Sequence, residues 1–258
     1  MILEVKNLSY SYKNGKEIFK NVNFSITKGT ILSILGPNGA GKSTLLNCIA
    51  NFYPPTDGEI LIDGVPLKTI SLQNISKKIG YVPQIHTPTY AYTVKEFVVM
   101  GRTPYLGMFE KPSKSDYDIV DDTLKLLGIG PLANMPYTEI SGGERQQATI
   151  ARAIVQKPDI IILDEPTSHL DYGNQLRTIK IIRSLAKQGF AIIMTTHTPD
   201  HALLLDDKVG ILDYSGTFLV GNTNEIMTEE RLSKLYQSDL HLVYLEEIHR
   251  TICVSNSL

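Results

Sequence analysis

The sequence predicts an α/β fold in which a mostly parallel core sheet carries an N-terminal antiparallel β subdomain and an inserted α-helical subdomain. The short apolar runs Ile160 to Leu163 and Ala191 to Thr195 are separated by an amphipathic helical pattern, Leu176 to Gln188, closed by Gly189. Short apolar strands alternating with helices belong to a parallel sheet covered on both faces. By contrast, the first 35 residues hold the β-like runs Ile2 to Val5, Phe24 to Ile26 and Ile31 to Leu35, which read as an antiparallel flap. After residue 84 the texture becomes helical and broken by loops, so a single domain is expected, with its core in 1–84 and 156–258 and the helical subdomain in 85–155.

Each element has a local cause. Gly58 to Val65 alternates Ile60 and Ile62 around Leu61 and turns at Asp63-Gly64, the pattern of a hairpin. The helical segments are Val94 to Met100, Asp116 to Leu127 ended by Gly128, and Ser141 to Val155 ended before Pro158. A second hairpin spans Val209 to Val220 around Tyr214-Ser-Gly, followed by a helix at Glu229 to Tyr236 and a strand at Leu242 to Leu245. Residues 251–258 are expected to fray.

The 258 residues, 42% of them hydrophobic, suffice for a proper core. A net charge of -2 argues against nucleic acid as the main partner, because no cationic excess exists to track a phosphate backbone. Cys48 and Cys253 lie far apart without a paired spacing, which argues against a disulfide framework or a zinc site and fits a reducing compartment. The charged start and the lack of a long apolar run predict neither export nor a membrane span.

The chemistry begins directly after Ile31 to Leu35, where Gly36-Pro-Asn38-Gly39-Ala-Gly41-Lys42-Ser43-Thr44 precedes Leu45-Leu46. Glycine and proline make this a loop, and its spacing is that of a phosphate-binding loop, or P-loop, between a strand and a helix. Bare amides converge on phosphate oxygens at a helix N-terminus, Lys42 reaches the outer phosphates and the Ser43 hydroxyl suits Mg²⁺. The run Ile160 to Leu163 then ends in Asp164-Glu165-Pro166, which puts two carboxylates at the edge where parallel sheets bind ligands. Asp164 suits the metal through water, and Glu165 suits the general-base or water-orienting role.

Further on stands Ile140-Ser141-Gly142-Gly143-Glu144. Ser141 and Glu144 form a capping box, but capping gives no reason for two glycines in the first turn, where each costs about 1 kcal/mol relative to alanine. A serine hydroxyl and bare amides at a helix start make a second anion site.

These motifs resemble the ATP-binding subunits of ABC transporters over about residues 1–220. The P-loop and acidic strand are joined by Ile140 to Glu144 as the signature motif, Tyr81-Val-Pro-Gln84 as the Q-loop, Ser168-His-Leu-Asp171 as the D-loop, and Thr196-His197 as the switch histidine. Ile140 and Glu144 depart from the usual ends of that signature, while Ser141, Gly142 and Gly143 match it. The resemblance implies a P-loop NTPase core that hydrolyses ATP with Mg²⁺. It further implies a head-to-tail homodimer in which each ATP lies between one P-loop and the Ser141 helix start of the other copy, with Asp171 near the site. Gln84 would link metal and γ-phosphate to the helical subdomain, and His197 would contact the γ-phosphate and hold the attacking water. An aromatic stacking on adenine is implied 24 residues before Gly36, at Tyr12. Strand alternation puts Tyr10 on the same face, so periodicity does not separate the two.

Residues 85–110, with His86-Thr-Pro-Thr-Tyr90-Ala-Tyr92 and Val98-Val-Met-Gly-Arg-Thr-Pro-Tyr105, correspond to the surface that receives a permease in the family. The Met-Gly-Arg-x-Pro string resembles importers of metal chelates, such as ferric siderophores, haem or cobalamin, and the related molybdate group. Expected partners are two multi-span permease subunits and, indirectly, a substrate-binding protein, at the cytoplasmic face of the cell membrane as a peripheral subunit. The alternative is a soluble non-transport ABC ATPase acting as a switch or assembly factor.

Overall fold

In the computed structural model, residues 1–13, 15–84 and 90–256 are described. Strand β1 (Leu3–Ser11) pairs antiparallel with β2 (Glu17–Ile26). Strand β3 (Ile31–Leu35) departs from the sequence reading. All five of its residues are buried, and it lies in the middle of the other sheet rather than in the flap. After helix α1 (Lys42–Ile49), strand β4 (Asp57–Ile62) returns to pair with β1. It turns through Asp63 and Gly64, at φ 51° and 77°, into β5 (Val65–Pro66), giving the antiparallel order β2-β1-β4-β5. Two consecutive positive φ values are what an Asp-Gly hairpin turn supplies.

Helix α2 (Leu72–Lys78), capped by Ser71, runs directly into β6 (Ile79–Val82). Three helices follow: α3 (Val94–Val99), α4 (Lys114–Leu126) and α5 (Gly142–Ile154). All three open on reciprocal capping boxes, Thr93 with Glu96, Ser113 with Asp116 and Ser141 with Glu144, which fix their starts by satisfying orphan N–H groups. The segment between α3 and α4 is not surface decoration throughout. Arg102 is buried, donating through Nε to Asp116 Oδ1 at 2.8 Å and through Nη1 to the Val155 carbonyl at 2.7 Å, so this residue of the Met-Gly-Arg-x-Pro string is a tie inside the helical insertion. Residues 85–89, including His86 to Thr89, lie outside the described residues.

The chain then enters β7 (Ile160–Leu163), α6 (Tyr172–Lys187), β8 (Ala191–Thr196), α7 (Pro199–Leu205), β9 (Lys208–Leu212) and β10 (Phe218–Asn222). Beyond these come α8 (Thr223–Ile226), α9 (Glu229–Tyr236), β11 (Leu240–Leu245) and β12 (Arg250–Ser255). The last two form a separate antiparallel ribbon, so the expected frayed end is corrected: 250–255 is a strand paired along its length with β11.

The core sheet has the order β10-β9-β3-β8-β7-β6, parallel except at the β10 edge. Its strands alternate faces with period two. Ile31, Ile161, Leu163, Ile192 and Met194 join the helical side, where residues of α3 to α6 pack. Leu32, Ile34, Ile160, Ile162 and Ile193 join the opposite cluster with α1 and the antiparallel layer. A smaller cluster joins Leu35, Val209 and Ile211 to Ala202 of α7 and to α8 and α9.

Candidate nucleotide site

The register of the parallel strands decides which residues meet. Leu35 pairs with Thr196, Leu163 with Met194 and Val82 with Leu163, so the residues just past each strand end, Gly36, Asp164, His197 and Gln84, emerge at one edge. The P-loop turns there because its glycines are required sterically. A Cβ on Gly36 would come within 2.3 Å of the Leu212 carbonyl oxygen. Gly41, at φ 102° as the residue before α1, would meet Ile18 at 2.4 Å.

Lys42 is 5% exposed and donates to the carbonyls of Gly36 at 2.8 Å and Pro37 at 3.2 Å. Its Nζ is also 3.2 Å from Glu165 Oε1. The other oxygen of Glu165 accepts from Gln84 Nε2 at 3.2 Å and lies 3.3 Å from His197 Nδ1. Glu165 itself sits at φ 44°, a left-handed conformation that costs a non-glycine residue about 1 kcal/mol or more and that clusters at working sites. Asp164 accepts from the Ser43 hydroxyl at 3.0 Å and from the Thr195 hydroxyl at 2.7 Å, while Thr195 accepts from the Glu165 amide at 2.8 Å. Burial, with Asp164 beside it, pushes the Tyr81 phenol up, which keeps that ring a neutral hydrogen-bond donor near the carboxylates.

A cleft of about 380 Å³ above α1 is lined by Tyr12, Asn38, Gly39, Gly41, Lys42, Ser43, Thr44, Gln84 and Glu165, together with Lys16 and Ile18. Tyr12 is 40% exposed and its hydroxyl is 3.1 Å from Thr44 Oγ1. Tyr10 instead stacks on Tyr53 at 5.8 Å and on Phe19 at 6.1 Å, which occupies its faces with protein. Ser141, Gly142, Gly143 and Asp171 are not in the lining of this cleft. Ser141 caps α5 and donates from its hydroxyl to Glu144 at 2.7 Å, and that bond holds the Glu144 carboxyl below the usual range. Asp171 caps α6 through the Asn174 amide at 2.9 Å, which likewise holds its carboxyl low. Gly143 has a packing reason that capping alone does not give: a Cβ there would lie 2.5 Å from Asn174 Cγ, whereas one on Gly142 would meet nothing within 4 Å.

Thr195, Asn47 and His201 lie at or beside the site and are not singled out by the sequence, while Tyr81 enters the sequence reading only as the first residue of the Q-loop string. Thr195 ends an apolar run and offers a weak signal as the first polar side chain there. The contacts of Tyr81 and Asn47, 3.2 Å apart, join residues 34 positions apart and have no local signature.

A P-loop opening a helix at the edge of a parallel sheet, with a buried carboxylate pair beside it, defines a nucleotide hydrolase of the P-loop class. Residues 19–168 match the ABC transporter family, and the chain belongs to it as an ATP-hydrolysing cassette. It is 36% identical to the molybdate import ATP-binding protein MolC of Haemophilus influenzae over 246 residues, 95% of this chain and 90% of that one. Among solved structures it is similar to a metal-chelate type ABC transporter in an inward-facing conformation, with 34% identity, a TM-score of 0.88 and coverage of 99% and 98%. It is also similar to a bacterial ABC transporter cassette solved as a dimer, with 30% identity, a TM-score of 0.71 and coverage of 83% and 95%.

Proposed function

We propose that this ATPase powers an ABC importer for a metal chelate, such as a ferric siderophore, haem or cobalamin, or for a molybdate-type oxyanion. The observation that carries the site assignment is Glu165, whose two oxygens meet Lys42, Gln84 and His197 within 3.3 Å at the mouth of the P-loop cleft. Lys42 and the P-loop amides bind the β- and γ-phosphates, Tyr12 stacks on the base, and Glu165 accepts the proton of the attacking water that His197 helps to hold. The γ-phosphate competes with Glu165 for the Lys42 ammonium, so nucleotide binding frees the carboxylate for the water.

The donors fit Mg²⁺. Ser43 Oγ and Asp164 Oδ1 are 3.0 Å apart, both hard oxygen ligands, and Gln84 adds an amide. No cluster of three or more His, Cys, Asp or Glu that could hold a metal occurs among the described residues, and Mg²⁺ in phosphate-transfer sites is commonly held by one or two protein oxygens together with substrate phosphates. When bound, the ion neutralises charge developing on the phosphates.

Binding of two ATP molecules between two copies would bring Ser141, Gly142 and Gly143 of one copy to the γ-phosphate held by the other, with Asp171 at the same seam. A groove of about 380 Å³ between the core and the helical insertion, lined by Ala50, Phe52, Tyr81, Met100, Gly101 and Pro104, among others, would seat a permease segment. Phe52 is 58% exposed at its rim. Among the described residues no helix is long and apolar enough to cross a membrane, so membrane attachment as a peripheral cytoplasmic-face subunit would come through the permease. Co-purification with a multi-span permease, and ATPase activity stimulated by it, tests this reading. Full ATPase activity with no membrane partner would favour a soluble switch instead.

A further inference from the structure

His201 lies on α7, four residues beyond His197, and is only 4% exposed. Its Nδ1 is 3.3 Å from the hydroxyl of Thr167 and 3.3 Å from the hydroxyl of Thr196. These two threonines, 4% and 1% exposed, belong to a loop and a strand end of the site. Thr167 follows Glu165 by two residues, in a turn closed by the Ser168 amide donating to the Glu165 carbonyl at 3.0 Å. Thr196 ends β8 immediately before His197, and its hydroxyl also accepts from the Thr198 amide at 3.1 Å. The Thr196 hydroxyl therefore spans the His197 peptide on one side and reaches His201 on the other.

The chemistry of this arrangement is specific. With the proton on Nε2, the single lone pair of Nδ1 is shared between the two hydroxyls, and Thr196 both accepts and donates. Burial holds the His201 imidazole below the usual histidine range, so the ring is neutral and able to accept. Its helix neighbours Ala202 and Leu205 are buried apolar residues, so a leucine would suit the packing, and burying an imidazole costs free energy unless its nitrogens are paired. Valine would fill the place of either threonine. Two buried hydroxyls converge instead on one nitrogen, the kind of buried polar junction that specifies geometry.

We propose that His201 is a positioning residue: it takes one hydrogen bond from the loop carrying Glu165 and one from the strand end carrying His197, and so sets the separation of those two side chains. That separation is the 3.3 Å contact between His197 Nδ1 and Glu165 Oε2. The inference rests on the roles given above to Glu165 and His197. His201 does not line the P-loop cleft, so its loss should act on turnover and not on ATP affinity.

The test is steady-state ATPase kinetics of the full chain with His201→Leu, His201→Asn, His197→Ala and the double variant His197→Ala/His201→Leu, each with its Tm. His201→Leu should lower kcat about ten-fold, within the up to about 10²-fold that a small misplacement costs, at unchanged KM and similar Tm. His201→Asn, whose amide oxygen can accept both hydroxyls, should restore most of the rate. The double variant should be no slower than His197→Ala. A His201→Leu kcat within two-fold of the parent overturns the proposal, as does a His201→Asn enzyme equally slow with a lowered Tm, or a double variant about ten-fold below His197→Ala. Near-parent turnover of His197→Ala overturns the assignment of His197 and this inference with it. A dead His197→Ala beside an unaffected His201→Leu overturns this inference alone.

Discussion

The Nζ of Lys42 lies 3.2 Å from Oε1 of Glu165, with the two side chains 5% and 10% exposed. A buried ion pair of this kind is weak evidence for stability, since desolvation offsets most of its attraction, and its place in the P-loop cleft points to function. Glu165→Gln keeps the shape and can still hydrogen-bond, but it cannot accept a proton. We expect it to retain MgATP binding while turnover falls by about 10² to 10⁴, the weight of a positioned base. ATPase rate and equilibrium nucleotide binding, measured on the same preparation, check this.

Lys42→Ala removes the cation and leaves the Glu165 carboxylate buried with Gln84 and His197. Nucleotide binding should fall below detection, and the protein should lose about 3 kcal/mol of stability, the usual cost of stranding a buried charge. Adding Glu165→Gln in that background should return part of the stability and none of the binding. Urea unfolding of both variants gives the comparison.

Much of this site is legible in the sequence, and the reason differs by element. The P-loop is readable because its chemistry is contiguous: nine residues from Gly36 to Thr44 must form one turn and one helix start. Strands β7 and β8 are readable because they are buried on both faces and so carry apolar runs. The membership of β3 is not readable, because its partners β8 and β9 lie about 160 and 175 residues away and adjacency in the chain suggests the flap instead. Strand β6 is four residues at a sheet edge, with Gly80 inside it, too short to show a period. His201 has no local signal at all. Its meaning comes from Thr167, 34 residues away, brought to it by parallel pairing.

The Arg102–Asp116 pair gives a pH dependence with a definite sign. The Arg102 guanidinium, with the Ser113 donors, pulls the Asp116 carboxyl down to about 2. A depressed folded-state value means that the pair stabilises above the unfolded carboxylate range near ~4 and that the contribution is lost as pH falls through about 2. Asp116→Asn should therefore cost about 2 kcal/mol near neutrality, the weight of a charge-assisted hydrogen bond. The difference between the variants should shrink below pH ~4 and vanish by about pH 2. Urea titrations of both proteins across that range measure it.

Ser141 caps α5 away from the cleft that holds Lys42. Ser141→Arg should therefore leave nucleotide affinity of the single copy within about three-fold, since in the proposed dimer that helix start would meet only the partner's cleft. It should block ATP-driven dimerisation in the Glu165→Gln background. Light scattering with and without MgATP distinguishes the two outcomes.

A crystal structure of Glu165→Gln with MgATP bears most directly on the claim that two copies share each nucleotide. The expected result is a twofold dimer in which the γ-phosphate beside Lys42 accepts hydrogen bonds, at about 3 Å, from the Ser141 hydroxyl and the Gly143 amide of the second copy. A nucleotide bound at the P-loop with the second copy's Ser141 far from its γ-phosphate would contradict it.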